Sequence, residues 1–314
     1  MKVIEYDRYG GPAVIVLREA PVPEPQRGEV LVRVRAAALN PKDALVRAGR
    51  FPWLAGREFP KRMGYDLAGE VAALGAGVSA FAVGQPVFGM INRWRAGAFA
   101  EYAALPADEL APRPAGLDAA GAAALPLAAQ TALQALRDLA GLRPGQRVVI
   151  HGASGGVGTL AVQIAKALGA EVTALCGAGS AELVRGLGAD TVCDYRQTSP
   201  AQLPGRYDAF FDVFGNQRFF GVRHLLTARG CYVSTVPSPR NLRDHALTRC
   251  SPLRRARLVV VRSRRADLET LSAWVAEGRL RPLIAARLPL AETAQAHAMI
   301  QTKNTHGKIV LDIP

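Results

Sequence analysis

Cysteine is scarce in this chain, and no metal-binding spacing of it occurs. The 314 residues hold four cysteines, Cys176, Cys193, Cys231 and Cys250, and none forms a C-x-x-C pair. A disulfide framework and a Cys-rich zinc site are thereby excluded, and reduced, mostly buried thiols are expected. No uninterrupted apolar run reaches the roughly 18 residues of a membrane helix. The first residues carry Glu5 and Asp7 and no apolar stretch, so no secretion signal is expected and the cytoplasm is the expected compartment. Lysine is rare as well, six against 33 arginines, and there is no internal repeat or low-complexity tract.

Hydrophobic residues make up 49% of the chain and charged residues 21%, a composition that folds. The length predicts two domains. The net charge is +13, and it is concentrated. Nine arginines and a single acid, Asp244, lie between Arg240 and Arg265. Such a segment suits nucleic acid, a phosphorylated cofactor, an acidic substrate or a solvated face. No helix-turn-helix, zinc-finger or aromatic RNA-binding signature accompanies it, so no nucleic-acid partner is expected.

Residues 1–115 are dense in Gly and Pro, with short alternating runs such as Val30–Arg35 and Gly69–Leu74. These predict strands of a β-rich domain. A helical segment over 118–139, capped by Asp118, follows. From Arg147 strands and helices alternate: strand Arg147–His151, helix Thr159–Leu168, strand Val172–Cys176, helix Ala181–Leu187, strand Thr191–Cys193, strand Ala209–Val213, helix Phe219–Leu226 and strand Gly230–Val236. This pattern predicts an α/β fold with a doubly wound parallel sheet. One helix, Leu268–Glu277, and a closing strand, Lys308–Asp312, complete the chain.

The most informative segment is His151-Gly152-Ala153-Ser154-Gly155-Gly156-Val157-Gly158-Thr159, between a predicted strand and a predicted helix. Small residues let the backbone turn tightly and approach a pyrophosphate, and the helix N-terminus offers free N–H groups. Ala153, Gly155 and Gly158 take the three places of G-x-G-x-x-G. A dinucleotide site follows from this setting, the bland alternative being a tight turn without a ligand. His151 is read as a packing residue and not as a base.

These residues resemble the medium-chain dehydrogenase/reductase superfamily, in its zinc-free, zeta-crystallin-like quinone oxidoreductase branch. The likeness covers essentially the whole chain. It is carried by Ala38–Asp43, Gly64–Val71, Val83–Gly89, Gly97–Tyr102, Leu125–Ala132, the glycine turn, Leu187–Asp190, Asp194-Tyr195, Asp212–Gly215 and Gly307–Leu311. The resemblance implies a GroES-like β-rich catalytic domain (1–117 and 266–314) and a Rossmann NADP-binding domain (118–265), with the active site in the cleft between them. It also implies homodimers joined edge to edge, for which Leu258–Val261 is a candidate edge strand. Zinc alcohol dehydrogenases carry a Cys where this chain has Asn40 and a His where it has Tyr65, so no metal is expected.

By the same resemblance Asn40 orients the cofactor or bonds the substrate carbonyl, a plain turn residue before Pro41 being equally open. Tyr65 is a donor to a carbonyl oxygen or a structural tyrosine. Leu45 stands where many relatives carry a substrate-facing Tyr. Thr131 matches a Thr near the nicotinamide carboxamide. Phe214, Gly215, Val236 and Ser238 follow strand ends in cofactor-facing loops, and Lys303 matches a cation that reaches the cofactor. No acid follows Cys176 to hold a ribose 2′-OH, which favours NADPH by exclusion. Ser180 and Tyr195, with Arg185 or Arg196, are the candidates for the 2′-phosphate. The expected activity is zinc-independent NADPH-dependent hydride transfer to a quinone or an activated C=C bond. Two alternatives remain open: an enoyl-thioester reductase holding CoA or carrier phosphate on the arginine-rich segment, and a non-catalytic NADPH-binding protein.

Overall fold

Alternation along Glu29–Ala38 places Arg33 and Arg35 toward solvent and Val30, Val32 and Val34 in the core. This ten-residue strand is the spine of the first of two units into which the chain divides, residues 1–127, 262–277 and 282–314. The structure is a computed structural model that describes residues 1–314 except 57, 93–95, 303 and 304, with the backbone alone at 53 and 54. In the first unit a seven-stranded sheet runs Ile284–Pro289, Lys308–Asp312, Glu29–Ala38, Asp66–Leu74, Pro86–Met90 and Leu110–Pro112, with Tyr102–Pro106 also paired to the spine. All pairs are antiparallel except the first. Its core is built from Ile4, Val30, Val32, Val34, Leu39, Leu67, Phe99, Leu105 and Leu311.

This unit contains more helix than its sequence pattern predicts. Helix Pro41–Arg47 leaves the end of the spine, and strand Ile284–Pro289 and helix Thr293–Gln301 precede the closing strand. The first is seven residues long, too short for periodicity to register. The segment expected to be helical over 118–139 is interrupted. Asp118 does cap, accepting the Gly121 N–H at 2.8 Å. The first helix stops at Ala123, and a second opens at Pro126, whose ring cannot continue an existing helix.

The second unit, residues 128–261 and 278–281, is a six-stranded parallel sheet: β1 Arg147–His151, β2 Glu171–Cys176, β3 Thr191–Asp194, β4 Tyr207–Asp212, β5 Leu226–Ser234 and β6 Arg255–Leu258. The order is β3-β2-β1-β4-β5-β6. The direction of winding reverses between β1 and β4, which makes their carboxyl ends the topological switch point where ligands of such sheets bind. His151 and Asp212 face each other in register at those two ends. The edge strand lies three residues earlier than Leu258–Val261, because Arg255–Leu258 pairs with β5 while Val260 is exposed. Helix Pro239–Leu247 occupies the start of the arginine-rich segment, where the sequence pattern predicts no helix. The cysteines are free, with Cys176 and Cys231 buried, Cys193 half-buried and Cys250 exposed.

Helix Gly156–Ala167 docks on β1 through position 158. A Cβ there would stand 2.0 Å from the Gly152 carbonyl oxygen and 2.7 Å from the Ala153 Cα, whereas at position 155 the nearest atom is 3.7 Å away. Gly158→Ala should therefore destabilise the protein by roughly 3 kcal/mol or more, and Gly155→Ala by under about 1 kcal/mol. Denaturant unfolding measures both, and equal losses would contradict the docking geometry.

Candidate functional site

The turn at the switch point begins where β1 ends and finishes in the first turn of helix Gly156–Ala167. Gly152, Ser154, Gly155, Gly156 and Val157 are half-buried, while Ala153 and Gly158 are buried. Gly155 is the N-cap and supplies no side-chain acceptor. The first intrahelical bond is donated by Thr159 to the Gly155 carbonyl oxygen at 2.9 Å. The N–H groups of Gly156, Val157 and Gly158 therefore have no acceptor within the helix, and they sit at its positive dipole end. A half-exposed, uncapped N-terminus of this kind fits a pyrophosphate.

Beside it, Cys176 closes β2 with its side chain buried. The loop Gly177–Ser180 and the end of β3 adjoin, since Cys176 and Asp194 are register partners. The Tyr195 hydroxyl lies over Gly177, 3.7 Å from where a Cβ would be. Arg196 sits at 5.9 Å from the Tyr195 ring centroid, and its backbone N–H is held by Asp194. Arg185 is paired with Glu182 one turn earlier on its own helix. Ser180 is buried and Ala178 exposed.

The first unit has its own buried polar cluster. Asn40 occupies the N-cap of helix Pro41–Arg47. Its Nδ2 donates to Asp66 at 3.0 Å and to the Ala38 carbonyl at 3.3 Å, and its Oδ1 accepts from the Lys308 ammonium. Lys308 also donates to Asp66 at 3.1 Å, and the Leu127 N–H donates to Asp66 at 2.8 Å. Asp43 accepts the Asn40 N–H at 2.8 Å through Oδ2, while Oδ1 is buried without a partner. The half-buried Lys42 ammonium lies 3.7 Å from the centroid of the buried Tyr65 ring. Burial holds the Lys42 ammonium below its usual range and pushes the Tyr65 phenol up.

Residues 26–115 match the alcohol dehydrogenase GroES-like domain and residues 187–311 match the zinc-binding dehydrogenase domain. A chloroplast envelope quinone oxidoreductase homolog of Arabidopsis thaliana is 33% identical, over 99% of this chain and 98% of its own. The chloroplastic NADPH-dependent alkenal/one oxidoreductase of the same plant is 32% identical, over 99% of this chain and 79% of its own. The quinone oxidoreductase of Coxiella burnetii superposes with a TM-score of 0.92 at 31% identity, over 100% of this chain and 99% of that one. The chain belongs to the medium-chain dehydrogenase/reductase superfamily, among its quinone oxidoreductases. It is an oxidoreductase with a GroES-like unit and a Rossmann-like parallel sheet.

Within that family the expected site residues divide into two groups. The turn residues Gly152–Gly158, Cys176, Ser180, Tyr195, Phe214, Gly215 and Val236 gather at the carboxyl ends of β1 to β5. Thr131 is buried in helix Pro126–Leu133. Ser238 lies beyond β5, where its hydroxyl N-caps helix Pro239–Leu247 by accepting the Asn241 N–H at 3.2 Å. Lys303 is outside the described residues. Asn40 is buried, and its Nδ2 donates to Asp66 and to the Ala38 carbonyl oxygen. Tyr65 is likewise buried. Among the described residues no group of three or more His, Cys, Asp or Glu side chains could hold a metal ion. None of the described helices is long and apolar enough to cross a membrane.

The sequence pattern missed Lys42 and Lys308. The only signal for either was rarity, two of six lysines, one directly after Asn40-Pro41 and one in the closing Gly307-Lys308 pair. The arginine-rich segment is neither a solvated face nor a ligand patch throughout. Arg254 bonds the Leu226 carbonyl, Arg257 those of Thr248, Ala256 and Arg249, and Arg243 pairs with Asp244. In the first unit Arg265 bonds the Leu110 and Ala107 carbonyls and stacks on Phe81.

Burial pushes the Asp43 carboxyl up to about 7, against the Asn40 hydrogen bond and with Asp66 adding to the rise. The folded chain then keeps a proton that the unfolded chain has released, and stability falls as pH rises through about 4 to 7. The slope approaches about 1.4 kcal/mol per pH unit. His297, held neutral by burial and by Arg47, contributes the opposite slope from the acid side. It cancels when the wild type is compared with Asp43→Asn. Unfolding free energies should show the variant gaining on the wild type as pH rises from 4.5 to 7.5. A flat difference would contradict the assignment.

Proposed function

We propose that this chain is a zinc-independent reductase that uses NADPH to reduce quinones or the C=C bond of α,β-unsaturated carbonyl compounds. The uncapped, half-exposed helix N-terminus at the switch point carries the reading. The N–H groups of Gly156, Val157 and Gly158 bind the pyrophosphate, and Phe214, Gly215 and Val236 border the second half of the dinucleotide. Thr131 and Lys303 are proposed as further cofactor contacts. When bound, the nicotinamide supplies a hydride; the protein orients it and excludes competing reactions. The named substrates of the relatives, quinones and alkenals or alkenones, support the acceptor class.

The zinc-free reading rests on Lys308. Its ammonium already neutralises Asp66 and takes the Asn40 oxygen. A divalent cation at the Asn40 and Tyr65 positions would meet a buried like charge and no thiolate or imidazole. The proton that completes the reduction is assigned to solvent, since a side-chain amide donates hydrogen bonds and not protons. The free edge of β6, with exposed Leu253 and Val260 nearby, supports a homodimer.

NADPH preference is assigned to Arg196. Arg185 is paired with Glu182, Ser180 is buried, and no acid follows Cys176 to repel a 2′-phosphate. A single charge-assisted hydrogen bond is worth about 1.5–3 kcal/mol, so kcat/KM should favour NADPH by about tenfold or more. Arg196→Ala should bring the two cofactors near parity, and Ala178→Asp at its exposed position should reverse the preference. A wild-type preference for NADH would overturn the assignment. Cofactor oxidation with a panel of quinones and enones tests the acceptor class. In the same assay a chelator should leave the rate intact, and elemental analysis should find no stoichiometric zinc.

A further inference from the structure

Asp212 ends β4 at the switch point and is fully buried. Its two carboxylate oxygens accept four hydrogen bonds from three separate segments. Oδ1 accepts from His151 Nδ1 at 2.9 Å and from the Gly215 N–H at 2.8 Å. Oδ2 accepts from the Gln217 N–H at 2.8 Å and from the Tyr232 hydroxyl at 2.9 Å. The acceptor-only carboxylate sets the His151 tautomer, with the proton on Nδ1. The Tyr232 hydroxyl also lies 3.1 Å from the Gln217 carbonyl oxygen. One carboxylate thus ties the end of β1, the loop 213–217 after β4, and β5.

The tied loop is packed on both sides. A Cβ on Gly215, at φ +75°, would stand 2.1 Å from Val236 Cγ2 in the loop after β5. On the other side Phe214 lies against the start of the glycine turn, its Cβ 3.3 Å from where a Gly152 Cβ would be, and its ring is half exposed. A buried carboxylate is costly unless every donor around it is in place. Here two of the four donors are backbone N–H groups of the loop, so the charge dictates the loop's path. In a sheet of this order the pyrophosphate sits after β1 and the adenosine ribose at the end of β2, which leaves the ends of β4 and β5 to the other mononucleotide half.

We infer that Asp212, with Tyr232 and His151, is a positioning group for the pyrophosphate and nicotinamide half of the dinucleotide, acting through the 213–217 loop and touching no ligand itself. The inference rests on the dinucleotide reading above. It predicts a split that a structural defect would not produce. Binding of NADPH and of 2′,5′-ADP, which carries only the adenosine half, is measured by calorimetry on the full-length protein. Asp212→Asn should weaken NADPH by about tenfold and Tyr232→Phe by about threefold, the sizes of one charge-assisted and one neutral hydrogen bond. Both variants should bind 2′,5′-ADP within twofold of the wild type. Arg196→Ala should instead weaken both ligands, because both carry the 2′-phosphate. Equal weakening of both ligands by Asp212→Asn or Tyr232→Phe, or unchanged NADPH affinity in both, overturns the inference. If Asp212→Asn does not fold, the milder Tyr232→Phe decides by the same split. A wild-type protein that binds neither ligand overturns the dinucleotide reading itself.

Discussion

The approach of helix Gly156–Ala167 to β1, with no room for a side chain at position 158, is the constraint on which the nucleotide-binding unit depends. A Cβ there would stand 2.0 Å from the Gly152 carbonyl oxygen, far inside van der Waals contact. Because the helix can come that close, the turn between them is short. Because the turn is short and its N-cap is a glycine, the first N–H groups of the helix stay uncapped at the carboxyl end of the sheet. The crossover that reverses the sheet order between β1 and β4 then opens a crevice at that same end. The close packing and the uncapped N–H groups are thus two consequences of one missing methyl group.

The first unit also has close backbone approaches, at Gly69 and Gly75, and adds to them a buried set of charged and polar groups. Lys308, Asp66 and Asn40 satisfy one another in the interior, and the Leu127 N–H completes Asp66. Removing one partner of such a set would leave an uncompensated buried charge, which is far more costly than the pair is favourable. The same set ties the closing strand, the Asp66–Leu74 strand and the start of helix Pro41–Arg47 to each other.

Nine cations in a short segment look like a binding face when only sequence spacing is visible. In the folded chain Arg254, Arg257 and Arg265 reach backbone carbonyls. The planar guanidinium can satisfy several acceptors at once, a use for which lysine is ill suited. These bonds to neutral carbonyls fix the side chains in place and leave each guanidinium its charge, while Arg243 is offset by Asp244.

Sequence alone determined the fold class, the strand–turn–helix setting of residues 147–167, and the lack of an acid after Cys176. These are local properties: hydrophobic periodicity, glycine spacing and the identity of one loop residue. Short helices such as Pro41–Arg47 were not legible, because one or two turns carry too little periodicity, and the break at Pro126 required knowing where one helix stops. Tertiary structure decided which polar atoms are already taken. The spacing of Asn40 before Pro41 does not show that Asp66 and the Ala38 carbonyl hold its amide group. Asp212 read as one residue of a loop motif until donors from β1, β5 and its own loop converged on it. Hydrogen bonds between residues 20, 26, 61 or 268 positions apart leave no trace in spacing, because the chain sets only which groups exist and the fold sets which of them meet.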